Sequence, residues 1–263
     1  MSNNDRWSDL APRLISAVVM LILGGIAVWA GGLLFNVLIA LCCGGLIWEL
    51  VRMLAPDRSA VALQLGLLGG AATLAAAVLP PIWAVPLLVA PAMVGLSQLS
   101  QHRKYYFGFM LWALIAGFGF IWLRSELGMQ WMLWLIGVVV VTDVAGYFAG
   151  KMIGGPKFWP RVSPKKTWSG TSAGWVAAAL VGFWFAQAQN LGLGLVVLSV
   201  LVAMASQAGD VAESALKRKM GVKDSSALIP GHGGLFDRFD GMLGAAAMVL
   251  IFLTLWGLPS GTL

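Results

Sequence analysis

Charge is scarce in this chain. Only 11% of its 263 residues are charged and 59% are hydrophobic, whereas soluble domains carry roughly 25% charged residues. That shortage excludes an ordinary soluble globular protein. Cysteine is nearly missing as well. The two present, Cys42 and Cys43, are adjacent inside an apolar run, which argues against a disulfide framework or a zinc spacing and leaves them as small buried apolar residues. There is no GxxxxGK[ST] phosphate loop and no nucleophilic serine elbow. No internal repeat, low-complexity tail or linker divides the sequence, so residues 1–263 read as a single domain. The apolar runs are continuous rather than alternating, which excludes a transmembrane barrel.

What is present is a row of apolar runs close to twenty residues long. A bilayer core about 30 Å thick takes roughly 20 helical residues per crossing, so the fold class expected is an all-α polytopic integral membrane protein with about nine transmembrane helices. The spans fall near 14–30, 33–51, 61–79, 82–97, 107–123, 130–149, 173–190, 192–208 and 242–258. The first group, about 14–123, forms the N-terminal spans, and about 130–258 forms the catalytic half. Residues 1–12 are polar and carry no clean cleavable signal, so the run that follows is kept as the first span.

The basic residues orient this row. With a cytoplasmic N-terminus, the cytoplasmic segments hold Arg6, Arg13, Arg52, Arg58, Arg103, Lys104, Lys151, Lys157, Arg161, Lys165, Lys166, Lys217, Arg218, Lys219, Lys223 and Arg238, sixteen of the seventeen Lys and Arg residues. Only Arg124 falls on the other side. Positive charge collects on cytoplasmic loops, so the net charge of +6 marks a multi-pass protein of a bacterial-type cytoplasmic (inner) membrane rather than a nucleic-acid binder. The C-terminus is expected outside. Two cytoplasmic segments are long, roughly 150–172 and 209–241, and chemistry is expected there.

The first of these contains "TDVAGYFAGKMIGGPKFWPRVSPKKTWSG", from Thr142. Asp143 lies within an apolar span, where an ionisable side chain is costly and points to function. Arg161, Lys165 and Lys166, with hydroxyl neighbours Ser163, Thr167 and Ser169, suit several phosphate oxygens. The same lysines would also serve as anchors for anionic headgroups. In the second segment, Asp210, Glu213, Ser214 and Lys217 stand at i, i+3, i+4 and i+7 and share one helical face. A turn at Lys223-Asp224-Ser225-Ser226 leads to "IPGHGGLFDRFDG". There Gly231, Gly233 and Gly234 permit left-handed backbone or close approach, and His232 can donate to a phosphate or move a proton. Asp237 and Asp240 open the last helix, where carboxylates complement the helix dipole. Together with Asp210 they also form a hard oxygen set suited to Mg²⁺. Phosphates, a hard cation and a membrane-embedded site together point to phosphoryl or nucleotidyl transfer on a lipid. Neither nucleotide nor lipid follows from composition or spacing.

The second segment resembles the signature of the phosphatidate cytidylyltransferase family, also called CDP-diacylglycerol synthases. The residues that carry the likeness are Ser214, Leu216, Lys217, Arg218, Lys223, Asp224, Ser226, Ile229, Pro230, His232, Gly233, Gly234, Asp237, Arg238 and Asp240. The blocks "SPKKTWSG" and "GDVAES" are similar too, so the likeness covers roughly the C-terminal half, and the N-terminal half matches only as a row of spans. The resemblance implies the reaction of CTP with phosphatidic acid to give CDP-diacylglycerol and pyrophosphate, with Mg²⁺. It implies Asp210 and Asp237 as metal ligands, Asp210, Asp237, Lys217 and His232 as the catalytic set, and Lys165, Lys166, Lys217 and Arg218 on the phosphates. Asp143, Glu213, Ser214, Lys223, Asp224, Gly233, Gly234, Arg238 and Asp240 complete or support substrate binding. Partners implied are CTP, phosphatidic acid and the lipid bilayer, with no nucleic acid; a second copy of the chain is a candidate partner. One departure is visible: Ser169 stands where related sequences often carry a glutamate, so that carboxylate is either dispensable or replaced, with Glu213 the candidate. Two rivals stay open. A transporter would use Asp143 and Asp210 as an ion path, and a CTP-using polyprenol kinase would release CDP instead of pyrophosphate.

Overall fold

The apolar runs are helices throughout the structure, a computed structural model that describes residues 10–258. Among the described residues there are nine α-helices: α1 Leu10–Ala30, α2 Gly32–Leu54, α3 Ser59–Val78, α4 Ala84–Gln98, α5 Arg103–Trp122, α6 Met129–Met152, α7 Trp168–Gln189, α8 Gly194–Lys219 and α9 Phe236–Trp256. Eight of the described helical segments are both long and apolar enough to cross a membrane. The ninth helix, α7, has the length for a span, and its ends are polar: it opens on Trp168, Ser169, Gly170, Thr171 and Ser172 and closes on Gln187 and Gln189. Arg6, counted in the charge asymmetry, and the extreme C-terminus lie outside the described residues.

Two compact units emerge from the chain. Unit 1 comprises the described residues up to Ser125 together with Lys219–Phe239; unit 2 comprises Glu126–Arg218 together with the described residues from Asp240. The chain therefore returns to unit 1 for the segment ahead of the last helix.

Within unit 1, α2 and α3 pack through glycine. A Cβ at Gly66 would stand 2.8 Å from the Gly44 carbonyl, and one at Gly70 would stand 2.8 Å from the Ala40 carbonyl. Lipid tails give helices no hydrophobic reason to associate, so close backbone approach at small residues supplies the contact instead. A cavity of about 460 Å³ beside this crossing is lined by Val37, Leu41, Trp48, Leu63, Leu67 and Leu228 among others. Arg124, the single basic residue outside the charge asymmetry, also finds its reason here. Its Nε donates to the Val28 carbonyl at 2.7 Å and a terminal guanidinium nitrogen to the Trp29 carbonyl at 3.1 Å. The guanidinium thus satisfies carbonyls at the end of α1 that the helix leaves open.

In unit 2 the same device joins α6 to α7: a Cβ at Gly146 would stand 3.2 Å from the Gly170 carbonyl, and one at Gly174 would stand 3.1 Å from the Thr142 carbonyl. The long segment expected at roughly 150–172 is not irregular throughout. Lys157–Trp159 (β1) and Ser163–Thr167 (β2) form a two-stranded antiparallel hairpin, with Lys157 opposite Thr167 and Trp159 opposite Ser163. Phe158 and Trp168 pack edge to face at its base, ring centres 4.8 Å apart. Thr167 then caps α7, its hydroxyl accepting from the Gly170 N–H at 3.2 Å, which is a preferred N-cap arrangement. The second long segment is also shorter than 209–241, because α8 continues to Lys219 and only 220–235 lies outside helices.

Candidate active site

The expected site residues divide between the two units. In unit 2, a cavity of about 350 Å³ is lined by Asp143, Lys165, Lys166, Asp210, Thr171 and Gln207, among others. Lys165 and Lys166 come from β2, Asp143 from α6 and Asp210 from α8. The hairpin is what carries the two lysines to the helices; in an extended strand neighbouring side chains point to opposite faces, and here Lys166 is half-buried while Lys165 is exposed. Lys166 Nζ lies 2.5 Å from Asp210 Oδ2. Asp143 and Asp240 both feel the charges of Asp210 and Lys166, so three carboxylates and an ammonium share one neighbourhood.

The face proposed for α8 forms as the spacing predicts, since Asp210, Glu213, Ser214 and Lys217 all lie on that helix. Ser214 Oγ donates to Asp210 Oδ1 at 3.3 Å, and Lys217 Nζ pairs with Glu213 Oε2 at 2.8 Å, with Glu213 fully buried. Each pair is an i, i+4 partnership on one helix. Arg218 is exposed at the end of the same helix. Ser169 is held in local structure: its hydroxyl donates to the Gly154 carbonyl at 2.5 Å and lies 3.0 Å from the Thr167 hydroxyl.

In unit 1 the glycine-rich stretch forms a tight turn. The Ile229 N–H donates to the Gly233 carbonyl at 2.8 Å and the His232 N–H to the Ile229 carbonyl at 2.9 Å. Gly231 and Gly233 have φ of 74° and 84°, which L side chains rarely adopt. Gly234 is needed for a different reason, close approach: a Cβ there would come within 2.5 Å of Glu49 Oε1 and collide with the Ser225 hydroxyl. Asp237 Oδ2 accepts from the Ser225 N–H, the Ser225 hydroxyl and the Gly234 N–H, each at 2.8 Å. Arg238 donates through Nε to the His232 carbonyl at 3.0 Å. Lys223 and Asp224 are exposed. Asp237 and Asp240 are one helical turn apart on α9.

Two residues escape a reading that treats the N-terminal half only as spans. Glu49, on α2, is completely buried and accepts from the Ser226 hydroxyl and from the Leu235 and Phe236 N–H groups, with the Ser225 hydroxyl 3.1 Å from its Oε2. Ser16, on α1, lies 2.8 Å from His232 Nδ1 and donates toward the Pro230 carbonyl at 3.0 Å. Glu49 had a signal available: a carboxylate inside the apolar run "GGLIWELVRM" is as unexpected as Asp143. Ser16 had none, since a lone serine in a helix is ordinary.

A hard cation is compatible with the donors in unit 2. Asp210 already holds a cationic group, the Lys166 ammonium, and its neighbours are further carboxylates. Among the described residues, no group of three or more His, Cys, Asp or Glu side chains is arranged to hold a metal by itself. A divalent ion here would therefore take few protein ligands and complete its shell with water and phosphate oxygens, which is the habit of Mg²⁺.

With that geometry in place, the comparison with known proteins is decisive at the level of family. The model of the cytidylyltransferase family matches residues 11–256. The chain belongs to the cytidylyltransferase family. The match takes in the N-terminal spans as well as the signature, which extends the likeness well beyond the C-terminal half. A phosphatidate cytidylyltransferase of Brucella suis is 34% identical over 265 residues, covering 96% of this chain and 96% of that protein. One from Helicobacter pylori is 38% identical over 173 residues, covering 63% of this chain and 65% of its own. One from Staphylococcus saprophyticus is 34% identical over 177 residues, covering 63% and 68%.

Proposed function

We propose that this chain transfers the cytidylyl group of CTP to phosphatidic acid, giving CDP-diacylglycerol and pyrophosphate. The observation that carries the proposal is the unit 2 cavity, in which Lys165 and Lys166 meet Asp143 and Asp210 in a member of the cytidylyltransferase family. Lysines alone would suit any anionic headgroup. Lysines beside carboxylates suit a phosphate that arrives with a cation.

An oxygen of the lipid phosphate attacks the α-phosphorus of CTP, the bond from that phosphorus to the bridging oxygen breaks, and pyrophosphate leaves. No covalent enzyme intermediate is required. The task of the protein is to bring two anions together and hold them in line. Lys165 and Lys166 would neutralise phosphate oxygens, and Thr171 and Gln207 supply neutral polar groups to the same cavity. Asp210 would hold Mg²⁺, with Asp143 and Asp240 completing the negative field. Bound Mg²⁺ would offset charge building on the leaving pyrophosphate. That Asp237 shares this ion rests on the sequence signature. Lys217, Arg218, Lys223, His232 and Arg238 are kept as further phosphate-directed groups on the same ground.

The cytoplasmic membrane is the proposed location, with the N-terminus and the site on the cytoplasmic side, because sixteen of seventeen basic residues fall there when the N-terminus does. The deciding assay gives the purified chain labelled CTP and phosphatidic acid, with and without Mg²⁺. Labelled CDP-diacylglycerol and pyrophosphate formed only with Mg²⁺ is the expected result. Release of CDP with a phosphorylated lipid would replace this reading with a kinase.

A further inference from the structure

We infer that Glu49 is a positioning residue for the reaction: it locks the loop between α8 and α9 into the shape that presents Asp237. The inference rests on the function proposed above. Glu49 belongs to the N-terminal half, on α2, and is fully buried. Its Oε1 accepts from the Ser226 hydroxyl at 2.6 Å and the Leu235 N–H at 2.8 Å. Its Oε2 accepts from the Phe236 N–H at 2.8 Å and lies 3.1 Å from the Ser225 hydroxyl, whose single proton points to the nearer Asp237 Oδ2 at 2.8 Å. Each oxygen therefore takes one backbone N–H, and Oε1 takes the Ser226 hydroxyl as well. The hydroxyls stand near the middle of the 220–235 segment and the N–H groups where it meets α9, so one side chain ties the middle of the loop to its end.

The arrangement calls for an acceptor oxygen at each of two positions, which a carboxylate offers and an amide does not. A backbone N–H can only donate, and two of them address different oxygens. An amide at this position would offer one oxygen and turn its NH₂ toward the other N–H, leaving a buried donor without a partner. The carboxylate also supplies the negative charge that the start of α9 favours, from a residue 187 positions earlier. Asp237 Oδ2 accepts from the Ser225 hydroxyl and from the Ser225 and Gly234 N–H groups, and that hydroxyl lies between the two acids, 3.1 Å from Glu49 Oε2. Gly234 sits where a side chain would strike both Glu49 and Ser225. Glu49 acts through the loop rather than on substrate.

The test uses the full chain in detergent with the variants Glu49→Gln, Glu49→Asp and Ser226→Ala. Pyrophosphate release from CTP and phosphatidic acid gives kcat and KM, and trypsin cleavage after Lys223 and Arg238 reports loop order. Glu49→Gln should lower kcat by about tenfold or more, with KM for CTP changed less than about threefold, and should speed both cleavages. Glu49→Asp, which keeps the charge, should recover part of kcat. A Gln variant with wild-type kcat and wild-type resistance to trypsin overturns the inference. If Glu49→Gln yields no folded protein, Ser226→Ala decides, because it leaves Glu49 both of its backbone N–H donors: kcat should fall about threefold with faster cleavage, and an unchanged enzyme overturns the inference. A wild-type protein that releases no pyrophosphate would defeat the proposed function instead, and the trypsin comparison would then judge the role of Glu49 by itself.

Discussion

Carboxylates do opposite work in the two units. In unit 1, Glu49 and Asp237 are ringed by donors, most of them backbone N–H groups that cannot move without moving the chain. In unit 2, Asp143 and Asp240 each lie within range of the charge of Asp210, which is offset by Lys166. Fixed donors convert a carboxylate into a strut, because losing it strands buried N–H groups. Like charges held together at a cavity gain nothing for the fold; they make a field suited to something charged inside it. Residue type is the same in both places. The partners decide the role.

If the comparison holds, activity and stability should separate in unit 2 and fall together in unit 1. The largest effect expected is from Asp210→Asn. It keeps shape, removes charge, and should lower turnover on the order of a hundredfold. Its melting temperature in detergent should stay close to wild type, because the ion pair with Lys166 is partly exposed on both sides and such pairs contribute little. A large drop in melting temperature would place Asp210 among the struts. Next comes Asp237→Asn, which should cost about tenfold or more in turnover and also expose the 220–235 segment to trypsin, since its Oδ2 holds three donors. Turnover lost with the loop still protected would mean that Asp237 acts on the substrate side only. Lys166→Ala should act mainly on binding, raising the apparent KM for CTP or phosphatidic acid by about tenfold. Unchanged apparent affinity for both would remove Lys166 from the phosphate site.

How much of this was legible follows the same division. The helices were, because an apolar run near twenty residues has few other folds open to it. The helical face on α8 was legible too, since Asp210, Glu213, Ser214 and Lys217 are close in sequence and their geometry follows from helix period alone. The hairpin at 157–167 was not: its strands are three and five residues long and carry lysine and proline rather than an alternating apolar pattern. Glu49 was visible as a carboxylate in an apolar run, but its role was not, because its partners lie 176 to 187 residues away and no local pattern encodes such a pairing. The glycine turn was half legible. Left-handed backbone was anticipated as a property of the stretch, but that Gly234 yields space to a carboxylate of α2 while Gly231 and Gly233 supply positive φ needed the coordinates.

The smallest effect expected belongs to Ser16, and it tests how far the scaffold of unit 1 extends. Ser16 Oγ lies 2.8 Å from His232 Nδ1 and also within reach of the carbonyls of Pro230 at 3.0 Å and Arg13 at 3.1 Å. A hydroxyl has one proton to give. If that proton goes to a carbonyl, Nδ1 must carry its own proton and donate to Ser16, which leaves Nε2 as the acceptor of the ring. The opposite tautomer would spend the hydroxyl proton on Nδ1 and leave both carbonyls without it. The first arrangement satisfies more groups, so Ser16 fixes the ring and its tautomer in the way that outer partners orient a working histidine. Ser16→Ala should then lower kcat by about fivefold, the worth of one such bond, with little change in KM, and Ser16→Thr should restore it because the hydroxyl returns. Equal loss in the alanine and threonine variants would assign Ser16 to the packing of α1 rather than to the orientation of His232.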